Sequence, residues 1–126
     1  MLVEDNDIDL FIAERLIRSV NFAEQVETIT GMDTALIRLA NAKQLPDFIF
    51  LGLYSNYKDG FYFLREMELL PEDVRKIKIV VLSTSPFSSD EEKVKTYKQV
   101  VGYFPKPLHI DVLRTLCLTD KTQSYE

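Results

Sequence analysis

Four polar groups in this chain follow short apolar runs, and each suits a particular chemistry. Glu4 and Asp5 come directly after Leu2-Val3, Ser83 after Ile79-Val80-Val81-Leu82, and Lys106 after Gly102-Tyr103-Phe104-Pro105. Adjacent carboxylates supply hard oxygen ligands of the kind Mg²⁺ takes alongside water and phosphate. Taken alone, the same pair also reads as one helix cap and one solvated acid. A lysine held between Pro105 and Pro107 has a fixed backbone and a free amine, able to meet a phosphoryl oxygen as a point charge. Ser83 can donate to an oxyanion or simply end a strand.

The elements that must position these groups follow from periodicity. Leu2-Val3, Phe48 to Leu53, Ile77 to Leu82 and Val100 to Phe104 are apolar runs of strand length, and Glu24 to Thr30 alternates as a half-exposed strand does. Between them lie helical patterns. In the first, Asp7 caps a helix whose inward face reads Ile8, Phe11, Ile12, Leu16 and Ile17, ended by Asn21. The second, Asp33 to Ala42, carries Ala35, Leu36, Leu39 and Ala40. Asp59-Gly60 is a turn signal before a third helix, Phe61 to Leu70. A polar fourth helix runs from a Ser88-Ser89-Asp90 cap to about Gln99. The last opens at Pro107 with Ile110, Leu113, Leu116 and Cys117 inward.

Five strands alternating with five helices predict an α/β fold: a doubly wound, five-stranded parallel sheet with helices on both faces. Such sheets bind ligands outside the carboxyl ends of their strands, where Glu4, Asp5, Ser83 and Lys106 all fall.

Bulk composition narrows the function classes. The chain has 126 residues, enough for one domain with a real core, and its 46% hydrophobic and 28% charged residues are those of an ordinary globular protein. A net charge of −5 argues against a nucleic-acid-binding surface. The single Cys117 precludes an internal disulfide and reads as a core residue, and the single His109 as a surface one. No apolar run is long enough for a membrane span and no signal peptide is visible, so the cytoplasm is the expected location.

Together, Val3-Glu4-Asp5-Asn6, Pro46 to Leu53, Ile79 to Ser83 and Gly102 to Pro107 resemble the receiver domain of two-component response regulators, from Val3 to about Leu118. The resemblance implies a flavodoxin-like (βα)5 three-layer sandwich over residues 1–118, with 119–126 as a loose polar tail. It implies that Glu4, Asp5 and the main-chain carbonyl of Tyr54 bind Mg²⁺, that Ser83 and Lys106 contact a phosphoryl group, and that Tyr103 changes rotamer when the hydroxyl loop closes. It implies a cis Lys106-Pro107 bond.

The departures are equally specific. Gly52 stands where the family has its phosphoacceptor aspartate, which removes both the acceptor and one Mg²⁺ ligand. Asn56 stands where a proline is usual, and Tyr54, Ser55 and Asp47 are poor substitutes as acceptors. The expected function is therefore that of a receiver in phosphorelay signalling, non-phosphorylatable and acting by protein–protein interaction rather than as an enzyme, with Mg²⁺ binding weakened. Expected partners are a sensor histidine kinase or another signalling protein, with a possible homodimer through the fourth helix, fifth strand and fifth helix. The alternative is an ordinary Mg²⁺-dependent phosphoacceptor in which Gly52 is an engineered or artefactual change. A flavin or enzyme site on the same architecture finds no glycine-rich loop after the first strand. Because an unpaired ammonium in such a pocket is costly, Lys106 is expected to pair with Asp5 or Glu4.

Overall fold

The computed structural model describes residues 1–54, 59–84 and 88–124, with side chains through Cys117. Ser55 and Asn56 lie outside the described residues, as do Ser85 to Phe87 in the loop after Ser83.

Five strands form one parallel sheet: β1 (Leu2–Val3), β2 (Thr28–Ile29), β3 (Phe48–Gly52), β4 (Lys78–Ser83) and β5 (Val100–Pro105), in the order β2-β1-β3-β4-β5. This is the expected doubly wound, flavodoxin-like order, which reverses between β1 and β3. Five α-helices alternate with the strands: α1 (Asp7–Ser19), α2 (Met32–Asn41), α3 (Gly60–Met67), α4 (Ser88–Val94) and α5 (Ile110–Ser124). The period-two alternation of strand side chains divides the core into two layers. Ile49, Leu51, Ile79 and Val81 pack against α2, α3 and Val94 of α4. Leu2, Phe50, Val80 and Leu82 pack against Ala13 and Ile17 of α1 and Leu113 and Leu116 of α5.

Several boundaries differ from expectation for local reasons. The second strand shrinks to Thr28–Ile29 because β1 offers only Leu2 and Val3 as partners. Helix α4 stops at Val94 instead of reaching Gln99. Three-residue turns bring Thr96 N to Lys93 O and Tyr97 N to Val94 O, and the Thr96 hydroxyl also donates to Lys93 O. Helix α5 runs from Ile110 to Ser124, and no Gly or Pro interrupts Thr119 to Gln123.

The correction that matters most concerns α1. Its cap is Asn6, not Asp7: Asn6 Oδ1 accepts from the amides of Ile8 and Asp9, each at 3.0 Å. The face turned to the sheet carries Ala13 and Ile17, flanked by Leu10, Leu16 and Val20. Ile8, Phe11 and Ile12, expected inside, are 71%, 62% and 37% exposed. Two apolar stripes share this helix, both at helical spacing, and the one in line with Asn6 and the sheet is the second.

Candidate functional site

The carboxyl ends of β1, β3 and β5 converge on one side of the sheet. Alternation puts Glu4 in line with Leu2, Gly52 in line with Phe48 and Phe50, and Lys106 in line with Phe104, all toward the α1–α5 layer. In the parallel register Val3 lies beside Leu51, so the next residues, Glu4 and Gly52, are neighbours. A glycine is required at residue 52 with Glu4 where it is. A Cβ built there would stand 2.6 Å from Glu4 Oε2 and 2.9 Å from both Cδ and Oε1.

Lys106 reaches across to this point. Its backbone amide donates to Ser83 O at 3.0 Å, and the following peptide bond to Pro107 is cis. Its ammonium donates to Glu4 Oε1 and, at 3.0 Å, to Asp9 Oδ2. The Lys106 and Glu4 side chains are only 11% and 9% exposed, so this is a largely buried ion pair. Burial opposes the charged ammonium, but its hydrogen bonds to the Glu4 and Asp9 carboxylates and their charge outweigh it and hold the Lys106 pKa above its ordinary value. The other oxygen of Glu4, Oε2, accepts from the Asp5 amide at 3.0 Å. Of the two partners expected for Lys106 the structure selects Glu4, and it adds Asp9. The signal for Asp9 was its place three residues after the Asn6 cap, which sets it on the first turn of α1 facing the strand ends.

A cleft of about 650 Å³ opens above the pair, lined by Asp5, Asn6, Asp9, Tyr54, Thr84 and Lys106 among others. Tyr54 sits at its rim, and its phenol donates to Asp90 Oδ2 at 2.7 Å. That bond to a carboxylate pushes the Tyr54 pKa up to about 12. Below it, Asp59 caps α3 by accepting from Tyr62 N at 3.0 Å, and Gly60 packs directly on the Leu53 backbone.

The remaining expected residues lie on the other side of the sheet. Ser83 is buried at the end of β4, in line with Ile79 and Val81. Tyr103 of β5 packs its ring against the α2–α3–α4 layer, and its hydroxyl is buried with no hydrogen-bond partner among the described residues. The site is thus split in two, with Glu4, Asp9, Gly52 and Lys106 toward α1 and α5, and Ser83 and Tyr103 toward α4. His109 is exposed, as expected, and Cys117 is partly buried on α5.

No family model and no curated protein matches this chain, and the likeness is carried by solved structures. A response regulator receiver protein from Dyadobacter fermentans is 31% identical, over 91% of this chain and 91% of its own, with a TM-score of 0.81. The chain belongs to the response regulator receiver family. A two-component response regulator from Cytophaga hutchinsonii shares the fold at 24% identity, over 94% of this chain and 92% of its own, with a TM-score of 0.84. So does the receiver domain of a sensor histidine kinase from Pseudomonas aeruginosa, at 23% identity over 91% and 89%, with a TM-score of 0.75. That domain carries a magnesium ion coordinated in its active site cleft.

In this chain two of the expected donors are differently placed. Glu4 is committed to Lys106 and the Asp5 amide, and Gly52 contributes no carboxylate. Asp5 and Tyr54, the rest of the expected set, both line the cleft. Among the described residues no group of three or more His, Cys, Asp or Glu side chains is placed to hold a metal ion. Among the described residues no helix is long and apolar enough to cross a membrane.

Proposed function

We propose that this receiver is a pseudo-receiver: a non-enzymatic, cytoplasmic domain of two-component signalling that takes no phosphoryl group at residue 52 and acts by binding other proteins. The observation that carries the reading is the closed contact between Gly52 and the Glu4–Lys106 pair. An aspartyl phosphate needs a side chain that is absent, and the room for it is filled by a carboxylate. The alternative is an ordinary phosphoacceptor with an altered residue 52, in which the Glu4 head, 2.6 Å from the added Cβ, would have to move. Weak or absent Mg²⁺ binding belongs to the same proposal, because two of the expected carboxylates are missing or engaged.

The partner would be a sensor histidine kinase or another signalling protein. Two surfaces are available. The α4–β5–α5 face, expected to serve a partner or a second copy, exposes Val101 as its one large apolar residue among those described, at 48%. The outer face of α1 exposes Ile8 and Phe11 more fully, and Ile8 also lines the cleft. The net charge of −5 disfavours nucleic acid at either surface.

The test is exposure of the chain to acetyl phosphate with Mg²⁺, followed by intact mass and by peptide mapping after borohydride trapping. No acyl-phosphate adduct is expected. A stoichiometric adduct on any carboxylate would overturn the reading.

A further inference from the structure

The Glu4 carboxylate has an unusual address. All three atoms of its head lie within 2.9 Å of the point where a residue-52 Cβ would be. Its two oxygens are each directed at an internal donor, Oε1 at the Lys106 ammonium and Oε2 at the Asp5 amide. The cleft above is lined by Asp5, Asp7 and Asp9, while Glu4 is buried and is not among its lining residues.

We infer that Glu4 and Gly52 form a matched pair, in which the glycine makes room for a resident carboxylate that neutralises Lys106 and closes the pocket without any bound cation or phosphoryl group. The physical argument is one of competing uses for a single side chain. A glutamate is long and flexible, so an added Cβ at residue 52 meets no rigid wall. What resists is electrostatic. Moving the head draws it away from a buried ammonium and from the Asp5 amide that donates to it at 3.0 Å. Asp9 does not replace it, because its side chain is 28% exposed and reaches Lys106 from the solvent side. Lys106 therefore keeps Glu4 in place, and Glu4 in turn is withheld from the cleft. A divalent cation entering there would meet Asp5 but would reach Glu4 only by opening the ion pair. The pairing concerns Glu4, Gly52 and Lys106 alone, and it stands whether or not another carboxylate of the chain accepts phosphate.

A thermal-unfolding cycle tests it, with no phosphoryl donor present. Gly52→Ala adds volume without charge, and Glu4→Asp withdraws the carboxylate by one methylene while keeping its charge. Gly52→Ala is expected to lower the midpoint by several degrees in the parent and by much less in the Glu4→Asp background. Equal losses in the two backgrounds, or no loss in the parent, would overturn the inference. Mn²⁺ titration of the folded parent and of Glu4→Gln, followed by paramagnetic broadening of the Asp5 to Asp9 amides, gives the second readout. Equal Mn²⁺ response in both is expected. A saturable site in the parent that weakens roughly tenfold or more in Glu4→Gln would show that Glu4 serves the cleft, and would overturn the matched pair.

Discussion

Phe50 and Gly52 lie two residues apart on β3 and face the same layer, yet they meet opposite surroundings. Phe50 is 3% exposed and closes against Phe22, edge to face at 5.9 Å, and against Phe48 at 6.4 Å. Gly52 closes against a carboxylate and the ammonium it neutralises. At Phe50 the space is filled by the strand's own side chain, and any apolar neighbour of suitable size would serve. At Gly52 the space is filled from another strand, by a charged group whose position depends on two specific donors. Burial at the first point is non-directional. At the second it depends on hydrogen-bond geometry, so a single change there alters what three residues do.

The largest expected effect breaks the apolar half. Phe50→Ala removes a buried ring from the α1–α5 layer and should cost about 3–5 kcal/mol in urea denaturation. A loss under about 1 kcal/mol would mean that the Phe22–Phe48–Phe50 cluster collapses around the hole, and that the two ends of β3 differ less than their packing suggests.

Next comes the charged half. Lys106→Met keeps the length of the side chain but leaves the buried Glu4 carboxylate without its ammonium, an expected cost of about 3 kcal/mol. Combining it with Glu4→Gln should recover much of that loss, because the penalty lies in the uncompensated charge rather than in the missing bond. The pair also has a pH signature. The Lys106 pKa is raised on folding from its ordinary 10.5, so its contribution is complete below that value and declines as pH rises through the folded-state pKa. Unfolding midpoints measured from pH 9 to pH 12 should fall more steeply for the parent than for Lys106→Met. Parallel curves would mean that the pair contributes nothing that titrates in this range.

The same contrast explains what could be read from the sequence. β3 and β4 were legible because both of their faces are covered, so Ile49 to Leu51 and Ile79 to Leu82 are unbroken apolar runs. The parallel sheet with helices on both faces followed from alternation, and the need of a buried Lys106 for an acidic partner followed from desolvation. The orientation of α1 did not, because Ile8-Phe11-Ile12 and Leu10-Ala13-Ile17 both keep helical spacing, and only the packed sheet selects between them. Nor did the inward turn of Glu4. Gly52 was legible as a missing acceptor, but its consequence is a vacancy into which a neighbour moves, and side-chain volume across two strands is not written in either segment alone. Asp9 was missed for a related reason: its role needs the Asn6 cap to fix the first turn of α1 against Lys106.

The smallest expected effect separates the two sides of the candidate site. Tyr103 lies on β5 and Lys106 directly follows that strand, but their polar atoms are treated oppositely here. The Lys106 ammonium has two carboxylate partners, whereas the Tyr103 hydroxyl is buried with none among the described residues. A buried, unpaired hydroxyl costs free energy that an isosteric ring without it does not. Tyr103→Phe keeps the ring against the α2–α3–α4 layer and should leave stability unchanged, or raise it by up to about 1 kcal/mol. Lys106→Met in the same assay should lose several times that amount. If Tyr103→Phe instead costs more than about 1 kcal/mol, the hydroxyl has a partner in the folded protein, and the contrast between the Tyr103 and Lys106 polar atoms fails.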